Sequence, residues 1–382
     1  MRRRLHLSWH RFRFLALAVG PPLLLYLALA AWHAARGTPL LRGDCPYYYA
    51  TARSLIDDGD LSLAGQISRS PVHTGQIALD DAGRPVAMHP PLLPIFALPA
   101  IAAFGPTGAL VFNLLQLACL LATVHLLAAR LAPAAAAAAA TAATGVATFL
   151  PAYAWNFSPD VLTTLLFVAA LAALPPDRGL SLPRHWVAGL ALGLACFGKL
   201  SLLSLTPAVL LLAAWRWRPL AALAAGAALP LVLFALLNLH LFGSPSTTSY
   251  DRIAHFEDGG VRLHSTRDDF NQPFAAGLAG QAVAPQRGLV WTAPLALVGL
   301  AGLPLVWRRR PRLALAVGWV AVVLPLIYAR YDWWWTSEYG NRFLLPLVAL
   351  AALPLATLIA AAVSDGAAGE PVLEAQPETL TA

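Results

Sequence analysis

Apolar runs long enough to cross a bilayer as a helix, which takes about 20 residues, recur from Phe14 to near the end of the chain. The gaps between most of these runs are short. Hydrophobic residues make up 58% of the 382 residues and charged residues only 12%, against roughly 25% charged in an average soluble domain. The sequence therefore predicts an all-α integral membrane protein with one transmembrane domain, residues 1–363, rather than several soluble domains.

Ten transmembrane helices are predicted. They cover residues 14–35, 107–129, 134–154, 161–175, 185–198, 200–215, 219–241, 290–307, 313–329 and 343–363. The first follows a basic N-terminus, is of full spanning length and has no convincing cleavage site after it, so we expect an uncleaved span rather than a signal peptide. The acidic, alanine-rich segment 364–382 is predicted to be a disordered cytoplasmic tail.

Charge sets the orientation of these spans. With the N-terminus in the cytoplasm, the inner segments before the tail contain fourteen arginines and one acid, whereas the outer segments contain twelve basic and fourteen acidic residues. Basic residues collect in cytoplasmic loops of membrane proteins, so both termini are predicted to be cytoplasmic. The net charge of +7 is explained by this orientation, and no nucleic-acid partner is predicted.

Two long outer loops, residues 36–106 and 243–289, indicate that function faces the outside. In the first, Pro46 suits the first turn of a helix and Gly59 its end, which predicts a juxtamembrane helix over 46–58. The sequence IALDDAGRPVAM predicts a small β-hairpin. The proline-broken apolar segment 92–104 is interpreted as a second juxtamembrane element. The alternative, an extra span, would invert everything after it and remove the charge asymmetry.

Asp44 is the strongest catalytic candidate. It precedes the predicted helix, and a helix N-terminus favours the anionic form of a carboxyl group. A carboxylate at the outer membrane boundary can accept a proton from an attacking hydroxyl. The alternative is that Asp44 only caps the helix. From position alone the two roles carry equal weight.

Tyrosines and an arginine follow Asp44 on the same predicted helix. Tyr48 comes four residues after Asp44 and shares its helix face, whereas Tyr47 and Tyr49 point elsewhere. An interfacial aromatic belt explains at least two of the three tyrosines. Arg53 is either an ordinary loop charge or a phosphate ligand, and Tyr47, Tyr48 and Arg53 are candidate substrate contacts.

Lys199 and Asp160 are charged residues at predicted span ends. Lys199 is the only lysine of the chain, among 26 basic residues, and lies between two apolar segments. A cation at such a position favours a functional role, with snorkelling to the interface as the alternative. Asp160, in the short outer turn, is a candidate substrate contact or an N-cap.

The last outer loop, YARYDWWWTSEYGNRFLLP, contains three further candidates, Glu338, Tyr339 and Arg342. An arginine placed directly before a span can offer two hydrogen bonds to a phosphate at the membrane surface. His89, before two prolines, is another candidate substrate contact. No spaced His or Cys cluster supports a metal, so no cofactor is predicted; outer acids such as Asp44 and Asp160 would share a hard cation only if the fold joined them.

The order of these motifs resembles the GT-C superfamily of membrane glycosyltransferases. The resemblance covers residues 14–355. Its motifs, in chain order, are an uncleaved span, Gly-Asp-Cys-Pro followed by ARSLIDDGDLSL, then GRPVAMHPPLLP, SPD, CFGKLSLLSLTP and WWWTSEYGNRFLLPL. Within the superfamily it resembles the family-39-like branch of protein O-mannosyltransferases and lipid A aminoarabinose and galacturonosyl transferases. The chain departs from that branch at Cys45, where many relatives have Glu, and at His89, where several have Lys.

The resemblance implies an inverting transfer of sugar from a polyprenyl-phosphate donor to a lipid or glycan acceptor, at the outer face of the bacterial inner membrane. Asp44 matches the family's catalytic acid, and Arg342, Lys199 and Arg53 are expected to stabilise the departing phosphate. Two other classes remain open, a transporter or lipid flippase and a non-catalytic envelope protein. Convergence of Asp44, Lys199 and Arg342 on one outer cavity would favour the transferase.

Overall fold

A computed structural model of the chain describes residues 2–67, 76–175, 179–257, 260–332, 334 and 339–368. Within these ranges the fold is mostly helical. Its helices are α1 (Arg2–Ala35), α2 (Cys45–Asp57), α3 (Ala64–Ile67), α4 (Leu92–Phe104), α5 (Pro106–Ala128), α6 (Ala134–Val146), α7 (Pro159–Ala173), α8 (Leu182–Gly198), α9 (Thr206–Leu212), α10 (Trp217–Phe242), α11 (Phe274–Val283), α12 (Leu289–Thr292), α13 (Pro294–Ala301), α14 (Leu303–Arg309), α15 (Pro311–Tyr328) and α16 (Leu345–Ala368).

Five stretches of helix are long and apolar enough to cross a membrane. They are Phe12–Ala35, Pro106–Ala128, Trp217–Phe242, Pro311–Tyr328 and Arg342–Ser364. The remaining predicted spans correspond to shorter or interrupted helices. The span 290–307, for example, is divided among α12, α13 and α14 because Pro294 and Pro304 each lie in the first turn of a new helix. Multiple membrane crossings are supported, and the count of ten stays a prediction.

Helix α16 forms the centre of the bundle. Most of its apolar stretch is buried inside the protein, including Leu347, Leu350 and Leu353, and it packs against α5, α6, α7 and α13. Helices α1 and α10 bury only a small share of their apolar stretches. Their outward leucines suit contact with the hydrocarbon chains of lipids, as expected for helices at the edge of a membrane bundle. The predicted disordered tail, residues 364–382, overlaps the end of α16, which continues to Ala368, and the rest of it lies outside the residues that the structure describes.

Glycines permit close packing between helices α8 and α10, and Gly189 and Gly226 show it most clearly. Helices α8 and α10 approach so closely that a Cβ on Gly189 would lie 1.9 Å from the Leu223 carbonyl oxygen. A Cβ on Gly226 would lie 2.1 Å from the Trp186 carbonyl oxygen. Small residues permit such backbone contact between membrane helices. This pairing holds α8, and therefore Lys199 at its C-terminal end, in a fixed position.

The two predicted elements of the first long loop are confirmed. Helix α2 begins one residue before Pro46 and is followed by Gly59, whose φ of +73° is a conformation that glycine adopts without strain. Strands β1 (Ile77–Leu79) and β2 (Pro85–Ala87) pair antiparallel as the predicted hairpin. Helix α4 has 13 residues and is about 20 Å long, short of the roughly 30 Å of a bilayer core.

The second long loop adds a hairpin that the sequence did not predict. Strands β3 (Ile253–Glu257) and β4 (Gly260–His264) pair with each other, and β3 pairs with β1 through Ala78 and Ile253. The result is a four-stranded sheet of order β2-β1-β3-β4, so the fold class is helical with a small sheet rather than all-α. The sheet joins the two long loops at one end of the bundle, which we call the sheet end.

Candidate active site

A cavity of about 630 Å³ opens at the sheet end. Its wall comes from both long loops, from the turn before α7 and from the segment before α16. The lining residues are Arg42, Gly43, Asp44, Cys45, Gln76, Met88, His89, Ala152, Tyr153, Asn156, Ser158, Ile253, His255, Arg262, His264, Asp269, Tyr331, Tyr339 and Arg342. Of the ten predicted site residues, the structure brings Asp44, His89, Tyr339 and Arg342 into this wall.

Asp44 occupies the N-cap position of α2 but does not cap it, since its side chain makes no hydrogen bond to the helix. Its Oδ1 accepts a hydrogen bond from Gln76 Nε2 at 2.8 Å, and its Oδ2 pairs with the Arg342 guanidinium. The capping alternative for the side chain is therefore excluded. Both oxygens are held by groups in the cavity wall.

A chain of hydrogen bonds runs from His89 to Asp44. The carboxylate of Asp44 can only accept, so the Gln76 amide nitrogen donates to it and the Gln76 carbonyl oxygen accepts from His89 Nε2 at 3.1 Å. The His89 ring stacks on Tyr48, with ring centroids 4.9 Å apart. Tyr48 thus lies behind the cavity wall and fixes the ring of His89.

The charges of this chain follow from burial and neighbours. Burial alone disfavours a charged Asp44, but the adjacent Arg342 guanidinium and the Gln76 hydrogen bond outweigh it and hold the pKa of that carboxyl well below its usual range. Burial lowers the pKa of His89, so its ring is neutral at pH 7 and donates through Nε2. Asp44 is consequently a carboxylate in a fixed orientation.

Lys199 and Asp160 pair with each other instead of lining the cavity. Lys199 Nζ lies 2.7 Å from Asp160 Oδ1 and 4.5 Å from the centre of the Phe343 ring. Ser158, which lines the cavity, donates to Asp160 Oδ2 at 3.3 Å. The expected convergence is therefore partial: Asp44 and Arg342 meet in the cavity wall, and Lys199 lies behind it, next to the residue that follows Arg342.

Three predicted roles on α2 are corrected. Arg53 forms an exposed pair with Asp57, one helical turn on, with nitrogen and oxygen 2.6 Å apart, and is not among the lining residues. Tyr47 packs against Leu63 and the β1 strand. The aromatic-belt interpretation is wrong for Tyr47 and Tyr48, because both are buried inside the protein.

The last loop contributes two predicted residues and leaves a third open. Tyr339 lines the cavity and is 45% exposed, so part of this residue is accessible to a ligand. Arg342 begins a short 3₁₀ turn before α16. Glu338 lies outside the residues that the structure describes.

Cys45 is an internal thiol that secures the turn before α7. Its sulfur accepts from the Phe157 backbone N–H at 3.3 Å and lies 3.4 Å from Asn156 Oδ1. Burial raises the pKa of this thiol to about 11. Asp44 and Asp160 do not share a cation site, since each pairs with its own basic side chain. Within the described ranges no three His, Cys, Asp or Glu side chains are grouped to hold a metal ion.

Sequence reasoning missed Gln76 and the residues from the second long loop. Gln76 precedes β1 by one position, and nothing in its local sequence distinguishes it. His255 and Arg262 on β3 and β4, and His264 with its partner Asp269 at 2.9 Å, reach the cavity only because the sheet joins the two loops. The alternation in IAHFE and GVRLH was the available signal for those strands.

Solved membrane-protein structures share the fold. AglB, an oligosaccharyltransferase from Archaeoglobus fulgidus solved with an inhibitory peptide and a dolichol-phosphate, has a TM-score of 0.55 and 14% identity, over 94% of this chain and 51% of that one. ArnT from Cupriavidus metallidurans, solved with undecaprenyl phosphate, has a TM-score of 0.52 and 14% identity, over 87% of this chain and 59% of that one. The apo oligosaccharyltransferase of A. fulgidus has a TM-score of 0.52 and 13% identity, over 93% of this chain and 51% of that one.

These likenesses define the class of the protein: it has the GT-C fold, and it spans half to three-fifths of the length of those relatives. Residues 88–329 match the sequence model of glycosyltransferase family 87. The chain belongs to that glycosyltransferase family, and five of its described helical stretches are long and apolar enough to cross a membrane. No curated protein matches it by sequence.

The range matched by the family model, residues 88–329, contains His89, Asp160 and Lys199 but not Asp44 or Arg342. The GT-C prediction is confirmed, and the family-39-like branch is not.

Proposed function

We propose that the protein transfers a sugar from a polyprenyl-phosphate-linked donor to an envelope acceptor, with inversion, in the cavity at the sheet end. The observation that carries the proposal is the pairing of Asp44 with Arg342 in the cavity wall. One group is suited to take the acceptor's proton and the other to bind the leaving phosphate. An inverting transfer needs both functions in one place.

Arg342 is the proposed phosphate ligand. Its guanidinium has donors beyond the nitrogen that pairs with Asp44, and its Nε is buried without a hydrogen-bond partner among the described residues. A phosphate oxygen satisfies such a donor, and arginine binds phosphate through two parallel hydrogen bonds. ArnT and AglB, which share the fold, are solved with undecaprenyl phosphate and with a dolichol-phosphate. Both compounds are lipid phosphates of the proposed donor class.

Asp44 is the proposed general base. The acceptor oxygen attacks the anomeric carbon on the face opposite the phosphate and loses its proton to Asp44. The carbon–oxygen bond to the phosphate breaks, and the phosphate leaves with the electron pair. A carboxylate of such low pKa is a weak base. When the donor phosphate competes for Arg342, Asp44 loses part of the interaction that keeps its pKa low, so donor binding makes it a stronger base.

The second long loop supplies the proposed acceptor side. His255, Arg262 and His264 also line the cavity, on strands joined to the first loop through the pairing of β1 with β3. Polar side chains in a preformed cleft orient a hydroxyl-bearing acceptor.

We propose residues 1–363 as one catalytic domain in the bacterial inner membrane, with the sheet end outside and both termini cytoplasmic. The proposed orientation follows from the charge of the loops. We propose that the sugar donor is of the kind that the family-39-like branch uses, a polyprenyl-phosphate-linked sugar.

Transfer in isolated membranes tests the proposal. Membranes from cells that make the chain receive a panel of polyprenyl-phosphate sugars with radiolabelled sugar, and labelled lipid and glycan products are separated and counted. We expect label transfer with release of polyprenyl phosphate, and a loss of about 100-fold in Arg342→Gln, as for removal of one transition-state charge partner. Arg53→Gln, an arginine at the same end but outside the cavity, is the matched control. Transfer from nucleotide sugars instead, or an undiminished rate in Arg342→Gln, would contradict the proposal.

A further inference from the structure

A second cavity, of about 470 Å³, lies among the helix ends on the other side of the bundle. Four of its twelve lining residues are arginines, Arg130, Arg309, Arg310 and Arg312, and the others are leucines and prolines. None of the lining residues is acidic; residues 176–178, which follow Pro175 in the chain, lie outside the described part. The cavity is therefore positively charged and otherwise apolar.

Helix connectivity places this cavity far from the sheet end. Helix α5 begins after Gly105, which lies beside the Tyr49 hydroxyl, and ends just before Arg130. Its 23 residues give a separation of about 35 Å along the helix axis. Helix α15 likewise begins at this cavity and ends at Tyr328, beside Lys199. The two cavities lie at opposite ends of membrane-length helices.

Two of the four arginines hold helix ends together. Arg130 donates to the carbonyl oxygen of Leu174 at 3.1 Å and to that of Ala172, and Arg309 Nη1 donates to the Leu131 carbonyl at 3.1 Å. Ala172 and Leu174 lie at the C-terminal end of α7, where a helix leaves its carbonyl groups unpaired, and Leu131 lies three residues after the end of α5. These hydrogen bonds also fix two guanidinium groups beside the cavity.

Arg312 differs from those two arginines. Its Nη1 is buried and has no hydrogen-bond partner among the described residues. A buried donor without a partner is costly, and an anion in the cavity would satisfy it. Arg312 lies in the first turn of α15, an 18-residue helix whose unpaired N–H groups and dipole also favour a negative charge there.

We propose that this cavity binds the phosphate head group of an anionic membrane lipid, with Arg312 as the principal contact. The inference goes beyond the proposed transfer reaction and does not depend on it. A lipid is favoured over a soluble phosphate because the six leucines of the lining, Leu131 and Leu313 among them, offer an apolar surface for glycerol and acyl groups. The cavity is also much larger than a phosphate group. Basic pockets between transmembrane helices bind anionic head groups in this way.

Native mass spectrometry of the purified full chain in detergent tests the site. Dioleoylphosphatidylglycerol and dioleoylphosphatidylcholine are titrated separately, and bound-lipid populations are compared. We expect the wild type to bind the anionic lipid about tenfold more tightly than the zwitterionic one, and Arg312→Gln to lose most of that preference, since one charge-assisted hydrogen bond contributes about a factor of ten. Arg308→Gln, an exposed arginine of the same segment that does not line the cavity, is expected to retain it.

Three outcomes would overturn the proposal: equal binding of the two lipids by the wild type, an equal loss in Arg308→Gln, or displacement of the anionic lipid by millimolar inorganic phosphate, which would make the ligand a soluble anion. If Arg312→Gln does not fold, a photoactivatable phosphatidylglycerol on the wild type keeps the question open to test. Labelled peptides are then expected at residues 127–131 and 309–313, and labelling confined to other parts of the chain would contradict the site.

Discussion

Two ion pairs lie near each other at the sheet end, and they differ in what they face. Asp44 pairs with Arg342 and Asp160 with Lys199, and in each case the carboxylate is more buried than its partner, at 11% against 26% and at 5% against 16% side-chain exposure. Asp44 and Arg342 both line the cavity, whereas Asp160 and Lys199 do not. Burial and pairing alone therefore do not distinguish the proposed catalytic residue from a structural one, whereas access to a ligand-sized space does.

The surroundings of the two pairs reinforce this difference. Asp44 is held by Gln76 and, through it, by His89, side chains that themselves line the cavity. Lys199 lies over the rings of Phe343 and Tyr328, which belong to the helices behind the cavity. The first pair is thus part of a polar surface open to substrate, and the second connects the start of α7 to the end of α8.

Asp44→Asn is expected to have the largest effect, a loss of about 1000-fold in transfer rate, because removing a general base of this kind typically costs 10²–10⁴. The amide is isosteric and can still accept from Gln76, but Arg342 loses its charged partner, so thermal unfolding of the variant in detergent is measured beside its transfer rate. The rate is measured in membranes at saturating donor, with Asp57→Asn as the control at the other end of α2. A near-normal rate in Asp44→Asn would remove the base from the mechanism and leave both ion pairs structural.

Lys199→Met is expected to act on stability, with a decrease of about 3 kcal/mol in the free energy of unfolding, because it leaves Asp160 as a buried unpaired carboxylate. The change is followed by thermal unfolding in detergent. The double variant Lys199→Met with Asp160→Leu, which removes both charges, is expected to recover most of the stability.

The double variant also separates the two roles of the pair. Recovery of both stability and transfer makes the Asp160–Lys199 pair a structural element. Recovered stability with a transfer rate as low as that of Asp44→Asn would instead show that Lys199 acts on the donor, and the contrast between the two pairs would fail.

The sequence predicted the helical membrane fold and part of the site. Asp44 and Arg342, which lie in the cavity wall, were candidates because a polar group beside an apolar span is conspicuous, and His89 was a candidate from its place before two prolines. Helix α2 and the β1–β2 hairpin were predicted because proline, glycine and an Asp-Asp-Ala-Gly turn mark local structure. The partners of those residues depend on contacts between distant segments. Arg342 is 298 positions from Asp44 and Lys199 is 39 from Asp160, and no local pattern reveals such pairs.

Arg53 and Tyr47 were predicted as substrate contacts but do not line the cavity. Both residue types suit a phosphate or sugar site, and both lie on the helix that follows Asp44. Helical geometry turns Arg53 toward Asp57 and Tyr47 toward the sheet. Residue chemistry together with nearness in sequence was therefore insufficient, because a helix distributes neighbouring side chains over different faces.

Gln76→Leu is expected to have the smallest effect, a loss of about tenfold in transfer rate, because one hydrogen bond that positions Asp44 is removed while the carboxylate stays. Gln76 is a positioning residue, so the informative measurement is the pH profile. A hydrogen bond to the charged form lowers a carboxyl pKa, so its loss raises the pKa of Asp44. The acidic limb of the rate profile then shifts to higher pH, and wild-type activity at low pH exceeds that of the variant by more than at neutral pH.

Gln66→Leu is the matched control, since Gln66 also donates to an aspartate, Asp58, at 3.2 Å, but lies outside the cavity. A general loss of stability would lower the rates of both variants without moving either pH profile. If the profile of Gln76→Leu coincides with the wild type after scaling, Gln76 only supports the loop. The pKa of Asp44 would then be set by burial and by its charged neighbours, Arg342 first. The difference between the two ion pairs would reduce to the cavity that only one of them faces.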